Sequence, residues 1–281
     1  FPIFGIVAAG YFYGRKHKPE MAVANRLNMD VFVPALVFAA MAGKFFDLAA
    51  YAPLALGGFL VLATCGLLAW PIARLVGIQP KTLVPPMLFN NSGNMGLPLA
   101  VLAWGEDALP AAVILFMVEN TLHFSFGARL LDPTTRLLTL WRIPVVAAAI
   151  AGLAVALLKI PVWQPLVIAI KMLGDVSVPL LLFSLGVRMT DVNFREWKVA
   201  VGSALLRPLA GMAIAYGVIA LLGLHGRDAA MLLVFGALPP AVLNFLFAER
   251  YKQEPQRVAS IVLIGNLAAL LFLPLALALV L

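Results

Sequence analysis

Long uncharged apolar runs separated by short polar stretches set the pattern of this chain. Four of them, Tyr51 to Trp70, Thr82 to Gly105, Ala229 to Ala248 and Val258 to Leu281, could cross the roughly 30 Å hydrocarbon core of a bilayer as helices. They lack the polar alternation of a membrane barrel strand, so helices are the predicted elements. Along the whole chain the pattern predicts ten spans, beginning near Phe1, Asn25, Tyr51, Thr82, Ala108, Ile143, Gln164, Pro208, Ala229 and Gln256. The longest polar stretch at mid-chain, Leu131 to Arg142, follows the fifth span and divides the chain nearly in half.

An internal similarity coincides with that division. Asp30-Val31-Phe32-Val33-Pro34-Ala35-Leu36-Val37-Phe38 resembles Asp175-Val176-Ser177-Val178-Pro179-Leu180-Leu181-Leu182-Phe183, with six of nine positions identical at an offset of 145. Asn120 and Asn266 pair at an offset of 146. An odd number of spans per half would bring the second half into the membrane from the opposite side. The expected fold is therefore an all-α integral membrane protein of ten transmembrane helices in two inverted five-helix repeats. Residues 1–131 form the first repeat, 132–142 a cytoplasmic connecting loop and 143–281 the second repeat.

Each half contains a helix that its own residues should break. In the fourth span, Asn90-Asn91-Ser92-Gly93-Asn94-Met95-Gly96-Leu97-Pro98 interrupts an apolar run. Gly93 and Gly96 weaken the helix and Pro98 removes a backbone donor. In the ninth span the sequence Gly236-Ala237-Leu238-Pro239-Pro240-Ala241-Val242-Leu243-Asn244 does the same, because Pro239 and Pro240 together cannot continue a regular helix. Unpaired backbone at membrane depth is tolerated only against protein or a water-filled cavity. Discontinuous helices four and nine, crossed near the midplane, would turn half-helix N-termini toward an anion. A proline-kinked helix whose amides bond to neighbouring helices is the simpler reading of the same residues.

Composition sharpens the class: 63% of residues are hydrophobic, 12% are charged and the mean hydropathy is +1.00. A soluble domain of this length could not cover that much apolar surface. The net charge of +7 raises the question of nucleic acid, and the position of the basic residues answers it. Sixteen of the twenty fall in odd-numbered loops, among them Arg15, Lys16, Arg74, Lys81, Arg136, Arg142, Arg207 and Lys252, while Lys44, Lys159, Lys171 and Arg227 do not. That bias places the odd loops in the cytoplasm and both chain ends outside the cell's inner, or plasma, membrane. It leaves no nucleic-acid partner to explain. Cys65 is the single cysteine, so an intramolecular disulfide is excluded, and it reads as a small core residue. The chain opens at Phe1 without a methionine, so a few native residues are expected before it. The first run lacks the preceding basic region of a cleavable signal peptide.

Glu119 is the sole acidic residue in the central part of the fifth span, beside Asn120 and His123. An ionisable residue there costs at least about 2.5 kcal/mol on insertion scales, so it should face a polar interior. It is a candidate for proton or cation coupling; a neutral Glu holding two helices together by hydrogen bonds is the competing role. Asp30 and Asp175 read as capping or loop-pairing residues near an interface. The candidate substrate site comprises Asn91, Asn94, Asn120 and Asn244. Gly93, Gly96, Pro98, Pro239 and Pro240 shape the crossover, and no catalytic residue, metal site or cofactor is expected.

With these motifs in view, the chain resembles the bacterial branch of the auxin efflux carrier family over essentially its whole length. The resemblance rests on Leu27-Asn28 through Pro34-Ala35-Leu36, on Gly93-Asn94-Met95-Gly96-Leu97-Pro98-Leu99 and on Asp175 through Gly186. The most specific stretch is Ala237-Leu238-Pro239 followed by Phe247-Ala248-Glu249-Arg250-Tyr251. It implies ten helices with both ends outside. It also implies a scaffold domain from spans 1, 2, 6 and 7 and a transport domain from spans 3–5 and 8–10. In that family the crossed helices line a site for an organic anion, which an elevator-like movement carries across. By motif position Asn91 looks like the crossover asparagine, Asn120 like the polar residue of the fifth helix, and Pro98 like the family's proline. Asn244 stands where plant members resemble each other in a proline, and the long central loop of many plant members is missing here. Both differences favour a dicarboxylate such as malonate over auxin.

The expected function is thus secondary transport of a small organic anion, with protons or sodium as candidate coupling ions, membrane lipid as surroundings and a homodimer as assembly. A sodium-coupled symporter of the bile-acid type would need clustered oxygen ligands, which Asn and Ser supply without a carboxylate in either break. An intramembrane enzyme would need a nucleophile and a base, and Ser125 and His123, two residues apart, would point to different faces. A membrane receptor would use the same helices without turnover. The charge bias yields a direct prediction of topology: cysteines placed in the Asp132 to Arg136 loop are labelled by an impermeant thiol reagent from the cytoplasmic side only, and labelling from outside reverses the orientation.

Overall fold

The computed structural model describes residues 2–42, 48–134, 142–191 and 196–281. Among them there is no strand beyond one isolated bridge, and the chain is helical. In order, the helices are α1 (Pro2–His17), α2 (Ala22–Met41), α3 (Leu48–Leu75), α4 (Pro80–Leu88), α5 (Leu97–Trp104) and α6 (Glu106–Leu131). They continue with α7 (Pro144–Leu157), α8 (Gln164–Arg188), α9 (Trp197–Leu222), α10 (Gly226–Ala237), α11 (Leu243–Arg250) and α12 (Pro255–Ala278). Single π-helical turns interrupt α2 at Asn28–Phe32 and α6 at His123–Gly127, and a third, Ser92–Gly96, precedes α5.

Six of these are long and apolar enough to cross a bilayer, namely α2, α3, α6, α8, α9 and α12, among the described residues. The expectation of ten transmembrane helices in two inverted five-helix repeats, with crossed helices four and nine, is corrected by this count. The physical reason lies in length and in local breaks. Helix α1 has 16 residues and ends in Arg15, Lys16 and His17. Helix α7 has 14 residues, a rise of about 21 Å against a core of about 30 Å. The fourth expected span is divided between α4 and α5, and the ninth between α10 and α11; none of these pieces exceeds the 12 residues of α10. The matching nine-residue segments also differ in conformation, since Asp30 lies in a π turn while Asp175 lies within the continuous α8. The eighth expected span, drawn from Pro208, begins at Trp197, so Arg207 is inside a helix rather than in a loop. Of the expected connecting loop 132–142, residues 135–141 lie outside the described residues. At its start the Asp132 carboxylate accepts hydrogen bonds from the Thr134 hydroxyl at 2.7 Å and the Thr134 amide at 2.9 Å. Those bonds hold it below the usual carboxylate range.

The chain divides into two units. The first takes residues 1–50, 97–113 and 136–190. Within it α1 lies on α8 and α2 on both α7 and α8. Glycines make these approaches close: a Cβ on Gly186 would overlap the Val7 carbonyl, one on Gly10 the Phe183 carbonyl, and one on Gly174 would fall 2.8 Å from the Leu36 backbone. Small residues at helix contacts are how apolar helices associate when burial from water supplies no drive. Ser184 Oγ donates to Asn25 Oδ1 at 2.6 Å, and Asn28, fully buried, reaches the Ser177 carbonyl at 3.4 Å.

The second unit takes residues 51–96, 114–135 and 191–281. Its α9 packs on α10 and α12, and α12 also meets α4, α10 and α11. At one edge Arg257 pairs with Glu196 at 3.0 Å and Glu254 at 2.7 Å, while Thr82 and Gln253 tie the start of α4 to the Lys252–Glu254 turn. Large apolar side chains such as Leu67, Tyr216 and Leu271 stand outward. With six helices of spanning length and such an outer surface, the chain is a multi-pass membrane protein.

Candidate functional site

The second unit contains both helix breaks, and its backbone shows where their freed polar groups go. Helix α4 ends at Leu88 and α10 at Ala237, after which Phe89–Asn91 and Leu238–Val242 leave the helical path. The two segments satisfy each other. The Asn91 amide donates to the Pro239 carbonyl at 2.7 Å and the Ala241 amide to the Phe89 carbonyl at 3.0 Å, forming the isolated antiparallel bridge between Asn90 and Pro240. Since Pro239 and Pro240 have no amide hydrogens, their segment pairs through the Pro239 carbonyl and the Ala241 amide on either side of Pro240.

Asparagine side chains complete the accounting. Asn244 Nδ2 donates to the carbonyls of Phe89 at 3.1 Å and Ala241 at 3.0 Å. Asn90 Nδ2 donates to the Phe235 carbonyl at 2.8 Å. Asn91 Nδ2 donates to Asn266 Oδ1 at 2.7 Å, and Asn266 Nδ2 in turn to the carbonyls of Pro240 at 3.0 Å and Val262 at 2.8 Å. All four asparagines are buried. Gly265 makes room for Pro240, whose Cδ would lie 2.7 Å from a Cβ there. The oxygens Asn90 Oδ1, Ser92 Oγ and Asn244 Oδ1 are buried without a partner, so the break holds spare acceptors.

The expected site residues separate into two groups. Asn91, Asn244, Pro239 and Pro240 meet at the bridge, whereas Asn94 is half-buried in the following π turn and takes no part in the network. Gly93 and Gly96 lie in the same turn; a Cβ on Gly93 would meet the Phe116 ring at 2.9 Å and one on Gly96 the Leu238 side chain at 3.1 Å. Pro98 is the second residue of α5, in the first helical turn where a missing donor costs least. Asn120 is buried in α6 and bonds within its own helix, to the Phe116 carbonyl and to Glu119, both at 3.1 Å. Glu119 also meets His123 Nδ1 at 2.9 Å. The His123 ring stacks on Phe89 with centroids 4.1 Å apart and planes 9° from parallel. Phe89 carries the carbonyl that Ala241 and Asn244 both hold, so the Glu119–His123 pair reaches the break through one aromatic contact.

Three residues of this site were not among those singled out from sequence. Asn90 stood inside the quoted motif and Asn266 was matched only with Asn120. Arg207, assigned to a loop, is fully buried in α9, where its Nη1 donates to the Gly236 carbonyl at 2.9 Å. Its signal was present: Arg207 follows Ser203-Ala204-Leu205-Leu206 and precedes an apolar stretch, a setting in which a charge must face inward. Helices α9 and α10 touch there, since Cβ atoms on Gly211 and Gly236 would each overlap the other's carbonyl. Among the described residues no cluster of His, Cys, Asp and Glu could hold a metal ion.

A family model described as membrane transport protein matches residues 134–277. Over 298 aligned residues the chain is 24% identical to a Rhizobium meliloti (strain 1021) protein named "Putative malonate transporter", covering 95% of this chain and 90% of that protein. It is 25% identical over 178 residues to auxin efflux carrier component 6 of Arabidopsis thaliana, which covers 60% of this chain and 29% of the plant protein. It is 31% identical over 105 residues to auxin efflux carrier component 3a of Oryza sativa subsp. japonica, covering 36% and 17% respectively. The chain thus spans most of the rhizobial relative and less than a third of either plant protein.

Proposed function

The chain belongs to the membrane transport protein family, and on that premise we propose that it moves a small organic anion, a mono- or dicarboxylate of the malonate or auxin kind, across the membrane. As a member of that family it is a transport protein rather than an enzyme. The observation that carries the reading is the buried amide network at two helix breaks. The amides satisfy the backbone that the breaks set free, and a polar, discontinuous stretch buried at membrane depth is where transporters place their substrate. Asn91 and Asn244 are the proposed core of the site, with Asn94 and Asn120 as neighbouring amides. These amides shape the site without adding buried charge, so an anion held beside them can also be released. Coverage of the rhizobial relative supports a place in the bacterial branch of the auxin efflux carriers, and malonate is the first substrate to test.

The proposed mechanism is elevator-type alternating access, with α3–α6 and α9–α12 as the moving transport domain and α1, α2, α7 and α8 as scaffold. An inner-membrane location with both ends outside follows the charge bias, and a homodimer is the proposed assembly. Glu119 with His123 is the proposed proton-coupling pair, because it is a buried titratable pair in stacking contact with Phe89. Sodium coupling is a second reading, favoured by the unpaired oxygens Asn90 Oδ1, Ser92 Oγ and Asn244 Oδ1.

Uptake of radiolabelled malonate, succinate and indole-3-acetate into proteoliposomes, with and without sodium and proton gradients, tests the proposal; no uptake of any organic acid refutes it. Loss of a hydrogen bond to a charged ligand costs about 1.5–3 kcal/mol, roughly ten- to hundredfold in affinity. Asn91→Ala and Asn244→Ala should weaken binding on that scale while still folding in detergent; unchanged affinity in both places the site elsewhere. Glu119→Gln should flatten the pH dependence of transport more than it alters affinity. A pH profile identical to the parent's leaves Glu119 a structural role only.

A further inference from the structure

Arg207 is the largest fully buried side chain among the described residues. Among the described residues no carboxylate pairs with it. The buried Glu119 carboxyl group is bonded to His123 and Asn120 instead. One guanidinium nitrogen, Nη1, donates to the Gly236 carbonyl near the C-terminal end of α10, where a positive charge is favoured by the helix dipole. That bond explains part of the residue's presence and leaves the other edge open. Nε and Nη2 are buried with no hydrogen-bond partner. These two nitrogens carry the parallel N–H bonds of the side-on fork that matches a carboxylate with two hydrogen bonds.

The location ties that fork to the break. Asn90 Nδ2 holds the Phe235 carbonyl and Arg207 the next one, Gly236, so both side chains bond the last turn of α10, which leads into Leu238-Pro239-Pro240. The amide donors of Asn91 and Asn244 are committed to Asn266 and to the backbone, and the unpaired atoms of the asparagines are acceptors. A carboxylate arriving there would find its charge complement on Arg207. An uncompensated buried cation is costly, and an anion that neutralises it recovers that cost.

We propose that Arg207 is the anion-binding residue of this transporter, taking one carboxylate of the substrate on its Nε–Nη2 edge while Nη1 keeps α10 in place. This rests on the organic-anion reading and adds the group that recognises the charge. Arg207→Lys retains a cation able to reach the Gly236 carbonyl and loses the two-pronged fork; Arg207→Gln removes the charge. With malonate, succinate and indole-3-acetate as probes, both variants should bind the acids taken up by the parent roughly ten- to hundredfold more weakly. Thermal unfolding in detergent, without acid, should show Arg207→Lys folded. A structure of the parent with its transported acid supplies the measurement that does not depend on variant folding: a carboxylate should lie within about 3 Å of both Nε and Nη2. Equal affinity in folded Arg207→Lys, or an acid bound with that edge still empty, overturns the role of Arg207 and leaves organic-anion transport intact. Failure of the parent to take up any of the acids overturns both.

Discussion

A backbone group that leaves its helix inside apolar protein must find another partner, and the second unit is organised around that requirement. Pro239 and Pro240 end α10 and withhold two donors; Phe89, Asn90 and Asn91 leave α4 at the same level. Each segment supplies what the other lacks, through Asn91 to Pro239 and Ala241 to Phe89. Asn90 and Asn266 then hold the Phe235 and Pro240 carbonyls that the bridge leaves over, and Asn244 adds a second donor to Phe89. Each such group left unpaired would cost about 1–3 kcal/mol, so the asparagines are needed for the break to exist, whatever else they bind.

The same requirement explains why charged residues collect beside the break. Arg207 meets a carbonyl at the end of α10, and Glu119 with His123 is stacked against the ring that carries the Phe89 carbonyl. An intact helix would present neither free carbonyls nor room for a guanidinium. In the account developed above, the amides preserve the shape of the opening while Arg207 supplies the attraction for an anion. The proposed proton site, the Glu119–His123 pair, is linked to it by one aromatic contact. Division of labour of this kind lets a site be specific for charge without depending on loops, since every participant sits on or between packed helices.

Much of this was legible in the chain. The Asn-Gly-Pro and Pro-Pro clusters located both breaks to within a few residues, because proline and glycine act locally through a missing donor and a missing side chain. Span number was not legible. Hydropathy cannot distinguish one long apolar helix from two short ones joined by a break, and the runs over 82–105 and 229–248 proved to be the latter. The nine-residue similarity at an offset of 145 was carried mostly by apolar residues, which fit a π turn in α2 and a continuous α8 equally well. Arg207 was missed because positive charge in a membrane protein was attributed to loops as a class. The partner of Asn91 could not be read at all, since Asn266 is 175 residues away and only the fold brings them together.

The central claim is that the paired breaks are where the anion binds. Ser92, buried with an unpaired hydroxyl at the start of the π turn, offers a reporter that is not itself part of the bridge. With Cys65 replaced by alanine, Ser92→Cys in proteoliposomes can be followed by its rate of reaction with a small thiol reagent. With the anion bound at the paired breaks, an acid transported by the parent slows that reaction in proportion to occupancy, while its methyl ester does not. Reaction at the same rate with and without a transported acid would contradict binding there.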